Sequence, residues 1–264
     1  MDFLETINKI ISLKKYKNML FQLVKRDFKV RYRGSVLGVL WSVLNPLLYM
    51  LVLSLVFSRV FKTIPNYRLY LLSGLVLFNF FSEATNMCVM SIVSNFGLIT
   101  KVYFPKFVLP LSRVFASLIN LGFSLIAYFV LGAFLGIQVW WGYIALLVML
   151  VFFVMFTVGT GFILSAWQVF MRDIQHLYSV IITLWMYATP ILYDFATTEM
   201  PQQLAAILKF NPLYSYVDFF RSVTMYGIFP ETMTVVSTVL WGIGALAVGA
   251  VIFVKNQNKF IFYT

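Results

Sequence analysis

The chain has little with which to perform covalent chemistry. Cys88 is its only cysteine and His176 its only histidine among 264 residues. An intrachain disulfide is therefore excluded, and no Cys/His metal signature can be assembled. The acidic residues number 9 against 20 Lys and Arg. Of these, Glu83, Asp194 and Asp218 are scattered rather than clustered as a glycan-lipid transferase would need. None of the 14 glycines is followed by lysine, so the phosphate-binding loop G-x-x-x-x-G-K-[ST] cannot occur. ATP, if used, must be held with its Mg2+ by another chain. No cofactor or metal is expected on this one, and it is not expected to be an enzyme. There is no solenoid-length repeat, no low-complexity segment and no inverted three-plus-three repeat of the secondary-transporter kind. Asp2 and Glu5 interrupt the N-terminus, where no cleavable signal core is expected.

Apolar residues, in contrast, are abundant. Hydrophobic residues make up 61% of the chain and charged ones 11%, with a mean hydropathy of +0.89, far from a soluble domain. A single polytopic membrane domain, all-α throughout, is the expected fold class. Net charge is +11, but the cations flank apolar runs instead of forming a groove, so lipid headgroups rather than nucleic acid are the expected partner. Six runs reach the roughly 20 residues that cross hydrocarbon: Val36–Phe57, Leu69–Val93, Phe107–Leu135, Tyr143–Val169, Leu177–Tyr193 and Thr232–Val254. With both termini cytoplasmic, 15 of the 20 cations fall on the inner side, which the positive-inside rule favours. Residues 1–34 then form a cytoplasmic basic segment, 36–193 hold five spans, 232–254 the sixth, and 255–264 a cytoplasmic tail.

Lys25, Arg26, Lys29, Arg31 and Arg33 crowd into nine residues and meet an apolar run at Gly34–Ser35. Such a border marks a membrane surface, and the five cations are candidates for holding anionic headgroups. Phe3, Leu4, Ile7, Ile10 and Ile11 recur at helical spacing, as in an amphipathic interfacial helix; a basic tail is the alternative. Between Asp194 and Glu231, two apolar stretches too short to cross meet at Asn211–Pro212. They fit either a re-entrant helix pair on the outer side or an amphipathic surface hairpin.

Several residues suggest function. Leu98, Lys101, Tyr103, Phe104, Pro105 and Lys106 lie on a short cytoplasmic loop whose apolar side chains suit either docking into a soluble partner or packing beneath the bundle. Arg172 and Asp173 share that side, where His176 suits helix capping better than proton transfer. Glu83, with Asn79 and Asn86 on the same helix face, is either a proton relay or, as favoured here, a polar seam between helices. Gly34/Gly38 and Gly132/Gly136 match the small-xxx-small spacing of close helix approach. Asn45–Pro46 should bend the first span and free carbonyls for other donors. Aromatic residues are 19% of the chain. Most must be packing or interfacial anchors, but Trp41, Asn45 and Tyr49 on the first span, with Trp185, Tyr187 and Tyr193 on the fifth, are candidates for lining a passage along which sugar rings slide.

The run Val24-Lys25-Arg26-Asp27-Phe28-Lys29-Val30-Arg31-Tyr32-Arg33-Gly34-Ser35, continuing to Asn45-Pro46, strongly resembles the membrane subunits of ABC exporters for O-antigen, capsular polysaccharide and teichoic acid. Thr189-Pro190-Ile191-Leu192-Tyr193 and Phe210-Asn211-Pro212-Leu213 resemble two further motifs of that family, and the similarity spans essentially the whole chain. The resemblance implies a homodimer in the bacterial cytoplasmic membrane, with two separate ATPase subunits and a lipid-linked polysaccharide as substrate. It also implies that the loop carrying Tyr103 to Pro105 enters the ATPase and that the N-terminal helix is an interfacial gate. On this reading Asn211, Pro212, Asp218 and Arg221 belong to an outer gate. An ABC permease for drugs or lipids, a membrane transferase and an ion or solute carrier are the rival readings.

Overall fold

A computed structural model describes residues 13–137, 140–194 and 208–263, and all regular structure among them is helical. Helix α1, Leu13–Arg31, sets the pattern. Tyr16, Met19, Leu20 and Leu23 recur every three or four residues and pack on the core, while Lys17, Lys25 and Lys29 stay exposed. Most of the interfacial helix expected at residues 3–17 lies outside the described residues. The described helix runs instead to Arg31, so the basic cluster sits on an amphipathic helix docked against the bundle. Gly34, at φ +78°, turns the chain away from it.

A 3-10 turn, Gly38–Leu40, leads into α2, Trp41–Phe57. Pro46 lies inside α2 and cannot donate to the Ser42 carbonyl four residues earlier. Ser124 Oγ of a neighbouring helix donates to that carbonyl instead, at 3.0 Å. The expected freeing of a carbonyl by Asn45–Pro46 thus has a definite acceptor and a definite donor.

Next come α3, Tyr67–Val89, and after a 3-10 turn the short α4, Phe96–Ile99. α5 is Val108–Phe134, α6 Tyr143–Phe170 and α7 Ile174–Ala188. α8 is Pro212–Thr224, α9 Thr232–Asn256 and α10 Phe260–Tyr263. Among the described residues, four helices are long and apolar enough to cross a membrane: α2 with its leading turn, α5, α6 and α9. α3 together with the helical piece Val93–Ile99 passes the same test only as a pair, bent by 53° at the break, which makes up to five candidate crossings. The remaining expected span, Leu177–Tyr193, is α7, which stops at Ala188. Thr189 is extended at ψ 132°, as the ring of Pro190 favours. Fifteen residues rise only about 22 Å, short of the hydrocarbon thickness of about 30 Å.

The core lies where α3, α5, α6 and α8 meet. Phe81 stacks on Phe156 at 5.3 Å, and Phe153 packs between Phe80 and Tyr216 at 5.4 and 4.7 Å. Much of the aromatic content is therefore packing. α8 is buried on Leu213, Tyr216, Val217, Phe220 and Val223 and packs against α3, α6 and α9. α8 is thus packed into the bundle, while the other half of the expected pair, residues 195–207, lies outside the described residues.

α6 and α9 run together through Gly159, Gly242 and Gly249. A Cβ on Gly249 would meet the Gly159 carbonyl, and one on Gly242 would lie 2.7 Å from the Phe152 carbonyl. The close approach is thus made by these glycines. Gly34, Gly38 and Gly136 instead adopt positive φ and make turns. The most hydrophobic stretches of α2 and α9 are only 17% buried, an apolar exposure that a bilayer or a second protein must cover.

Candidate functional site

Helix α3 carries a polar stripe through an otherwise apolar bundle. Asn79, Ser82, Glu83 and Asn86 recur at i, i+3, i+4 and i+7, and so share one face. Asn79 and Asn86 are exposed, while Asn86 Nδ2 donates to the Ser82 carbonyl at 2.8 Å. α2 and α7 both pack against α3. On α7, Tyr178 and Ile182 are buried whereas Ser179, Thr183 and Tyr187 are exposed. Ser179 and Thr183 satisfy their hydroxyls on backbone carbonyls at 2.7 and 2.9 Å. Polar groups so placed in a membrane helix are costly against lipid and call for water or protein opposite them.

Between α2, α3, α5 and the end of α1 lies a cavity of about 460 Å³. Trp41, Asn45 and Tyr49 line it, as do Asn79, Glu83 and Asn120. Three of the six residues proposed from sequence for the passage therefore share one chamber. Trp185 does not join them. Its indole Nε1 donates to Asn211 Oδ1 at 2.8 Å, and its ring packs edge-on to Phe81 at 5.3 Å, so it braces a helix end. Tyr193 lies beyond α7, in the turn after Pro190, where its hydroxyl donates to the Tyr187 carbonyl at 3.1 Å. Tyr187 itself remains on the exposed face.

Glu83 is not the isolated carboxylate that its sequence neighbourhood suggests. Arg31 Nη1 forms an ion pair with Glu83 Oε1, and Asn120 Nδ2 donates to the same oxygen at 2.8 Å. Asn120 Oδ1 in turn accepts from Tyr32 at 2.8 Å and Ser42 at 3.2 Å. Glu83 thus joins a hydrogen-bonded seam between helices, with a cation that lies 52 positions away in the chain. Arg31 thus pairs with a carboxylate and Arg26 with Asp27 at 2.9 Å, while all five cations, Lys25, Arg26, Lys29, Arg31 and Arg33, remain exposed. Removing Arg31 alone strands the carboxylate. Arg31→Met is expected to be more destabilising than the double variant Arg31→Met/Glu83→Gln. A double-mutant cycle on thermal unfolding should give about 1 kcal/mol of non-additivity; additive losses would reject the coupling.

Asp27 forms a second node between α1 and α5. It is buried against Arg113 Nη1 at 3.1 Å and accepts from Ser112 Oγ at 3.4 Å. Sitting inside a cationic run, it gave no sequence sign of facing inward other than its helical spacing from Leu20 and Leu23.

At the other end of α3, two segments singled out separately in the sequence form one unit. Asn211 caps α8, accepting from the Leu213 amide at 3.0 Å, with Pro212 in the first helical position. Its Nδ2 donates to Thr189 Oγ1 at 2.9 Å. Arg221 is buried and donates to the Pro190 carbonyl at 2.7 Å, Ser73 Oγ at 3.0 Å and the Tyr70 carbonyl at 3.1 Å. Its guanidinium lies 3.4 Å from the centre of the Tyr70 ring. Asp218 instead accepts from Thr234 Oγ1 at 3.0 Å.

On the side expected to be cytoplasmic, the loop after α3 differs from a single docking helix. Its helical part is Val93–Ile99, and the chain from Lys101 to Lys106 is irregular, as Pro105 favours. Tyr103 is 81% exposed but Phe104 only 7%, turned into the core. Phe104 is thus removed from the candidate contact surface, since burying it against the bundle excludes its ring from a partner. Lys101 and Val102 are exposed, while Leu98 and Pro105 are half-buried. Lys106 Nζ donates to the Gln257 carbonyl at 2.6 Å, and burial holds its pKa below the usual lysine value. Arg172 and Asp173 are exposed at the α6–α7 turn. Gln168, which the sequence reading passed over, fastens that turn by donating to the Arg172 carbonyl at 3.0 Å and accepting from the Gln175 amide at 2.9 Å.

No group of three or more His, Cys, Asp and Glu side chains able to hold a metal occurs among the described residues. The geometry offers a polar face, a chamber and two hydrogen-bonded nodes.

Comparison with known proteins gives this geometry a context. Residues 18–225 match the ABC-2 type transporter family. The chain is 33% identical over 255 residues to the O-antigen export system permease protein RfbA of Myxococcus xanthus, covering 96% of this chain and 98% of that one. A protein of the same name from Klebsiella pneumoniae is 32% identical over 249 residues, with 92% and 93% covered. The polysialic acid transport protein KpsM of Escherichia coli is 24% identical over 250 residues, with 90% and 93% covered.

Proposed function

The chain belongs to the ABC-2 type transporter family, as a permease subunit of the polysaccharide-exporting kind, and we propose that two copies flank one passage for a lipid-linked glycan. ATP hydrolysis in separate partner subunits drives the polymer outward, and no covalent step falls on this chain. Both termini lie in the cytoplasm of a bacterial cell, with five crossings completed by a sixth made of α7 and the turn after it. α8 and the segment before it dip into the outer leaflet as a re-entrant pair that closes the outer mouth between cycles.

The observation that supports this reading is the exposed polar face of α3, flanked by the chamber residues Trp41, Asn45 and Tyr49. A second protomer presenting the same face would enclose a path with polar and aromatic walls and no deep binding well. Such a wall suits a long polymer, because tight sites would stall it. Lys25, Lys29 and Arg33 remain available to anionic headgroups at the entry. On the cytoplasmic side the exposed Tyr103, with Lys101, Arg172 and Asp173, forms the surface that meets the ATPase.

Two measurements test the two halves of the proposal. The native Cys88 is buried, so a cysteine introduced at Asn79 is the accessible thiol for a bulky maleimide. Labelling Asn79→Cys in reconstituted exporter should stop glycan export; undiminished export would remove α3 from the passage. Tyr103→Ala should lower export at least tenfold while leaving the assembled complex and its basal ATP hydrolysis in place. Export at the normal rate would reject that coupling surface.

A further inference from the structure

On the flank of the bundle formed by α5, α6 and α9, away from the polar chamber, a groove of about 320 Å³ opens to the exterior. Its volume is roughly ten times that of a water molecule, yet every one of its lining residues is apolar, including Phe107 just before α5, Leu111 of α5, Val158 and Phe162 of α6, and Ala250 and Val254 of α9. Water has no partner in such a space. In a bilayer the material at hand is hydrocarbon, and the dimensions suit a length of acyl chain.

The rim supplies what a bare apolar groove lacks. α5 begins and α9 ends at the same end of the bundle, so the covalent neighbours of two lining residues are cations: Lys106 precedes Phe107 and Lys255 follows Val254. Lys255 and, four residues on, Lys259 are exposed. Lys106 is drawn toward the same place, with Nζ on the Gln257 carbonyl and 5.7 Å from the centre of the Phe260 ring. An ammonium has three donors, and the carbonyl takes one of them. Neither the stretch 98–113 nor the stretch 255–264 contains an acidic residue, so nothing in these segments offsets the charge. Basic rims over apolar grooves between helices on the cytoplasmic side are the pattern that holds lipid phosphates.

We infer that this groove is a binding site for one anionic phospholipid of the inner leaflet, its acyl chain between α5, α6 and α9 and its phosphate on Lys106, Lys255 and Lys259. Because Lys106 also holds the Gln257 carbonyl, the lipid joins the loop before α5 to the segment after α9. The inference rests on the cytoplasmic placement of the termini proposed above but not on the glycan passage, and either can fail alone.

The test uses the complete exporter, permease with ATPase subunits, in nanodiscs of phosphatidylcholine doped with photoactivatable phosphatidylglycerol bearing a diazirine on its acyl chain. Crosslinks should fall on peptides containing Leu111, Val158 or Ala250, and native mass spectrometry should show phosphatidylglycerol retained at least tenfold over phosphatidylcholine. The triple variant Lys106→Gln/Lys255→Gln/Lys259→Gln should lose that preference while keeping acyl crosslinks. Ala250→Trp, which fills the groove and keeps the cations, should lose the crosslinks. Equal retention of the two lipids, an unchanged preference in the triple variant, or crosslinks confined to other surfaces would overturn the assignment. So would a benzoylphenylalanine placed at Ala250 that captures a second copy of the chain or the ATPase instead of lipid.

Discussion

An Arg221→Met chain should unfold with a loss of about 3 kcal/mol or more, and its export activity should disappear with the fold. The guanidinium donates to the Pro190 and Tyr70 carbonyls and to Ser73 Oγ. Methionine matches only the aliphatic stem and withdraws these charge-assisted bonds, each worth about 1.5–3 kcal/mol, although Ser73 Oγ still donates to the Tyr70 carbonyl at 2.7 Å and Tyr70 Oη to the Pro190 carbonyl at 3.4 Å. Arg221→Lys is expected to rescue little, because one ammonium cannot reproduce a planar fork aimed at several acceptors. The thermal unfolding midpoint of the purified exporter reads the effect. If lysine restores the midpoint, the charge matters and the fork does not.

Asp27→Leu carries the second large effect. The carboxylate is buried and pairs with the half-buried Arg113 as well as with the exposed Arg26. Taking away one partner of a buried ion pair costs about 3–5 kcal/mol, because the other charge is left uncompensated. The double change Asp27→Leu/Arg113→Met removes both and should recover most of the loss. Unfolding of the two variants side by side decides the matter. A double variant no better than Asp27→Leu would mean that the site is valued for its shape rather than its charge.

Much of the architecture is legible from residues alone, because local periodicity carries it. The apolar runs mark α2, α5, α6 and α9. Pro46 announces a freed carbonyl, and Asn211–Pro212 a helix start that the structure realises as a side-chain cap. Where sequence reading fails, the missing quantity is rotation of one helix against another. Tyr103 and Phe104 are adjacent, equally aromatic, and point in opposite directions. Glu83 looks unpaired until α1 brings Arg31 to it. Trp185 has the composition of a passage wall but the position of a brace for Asn211. Of the glycines at small-xxx-small spacing, Gly34, Gly38 and Gly136 turn the chain and Gly132 lies inside α5. Gly242 and Gly249, seven residues apart and so on one helix face, were the available signal for the α6–α9 contact.

The mounting of α1 has a mechanical consequence. Its Asp27 is attached to Arg113 of α5, and Tyr32, one residue past its end, to Asn120; residues 113 and 120 stand about 10 Å apart along the α5 axis. A rod pinned at one place can swivel, whereas a rod pinned at two cannot turn about either pin without tearing the other loose. Swivelling of α1 across the face of α5 is therefore resisted at both ends, and the movement left to it is a tilt about the line through the two pins, which runs along α5.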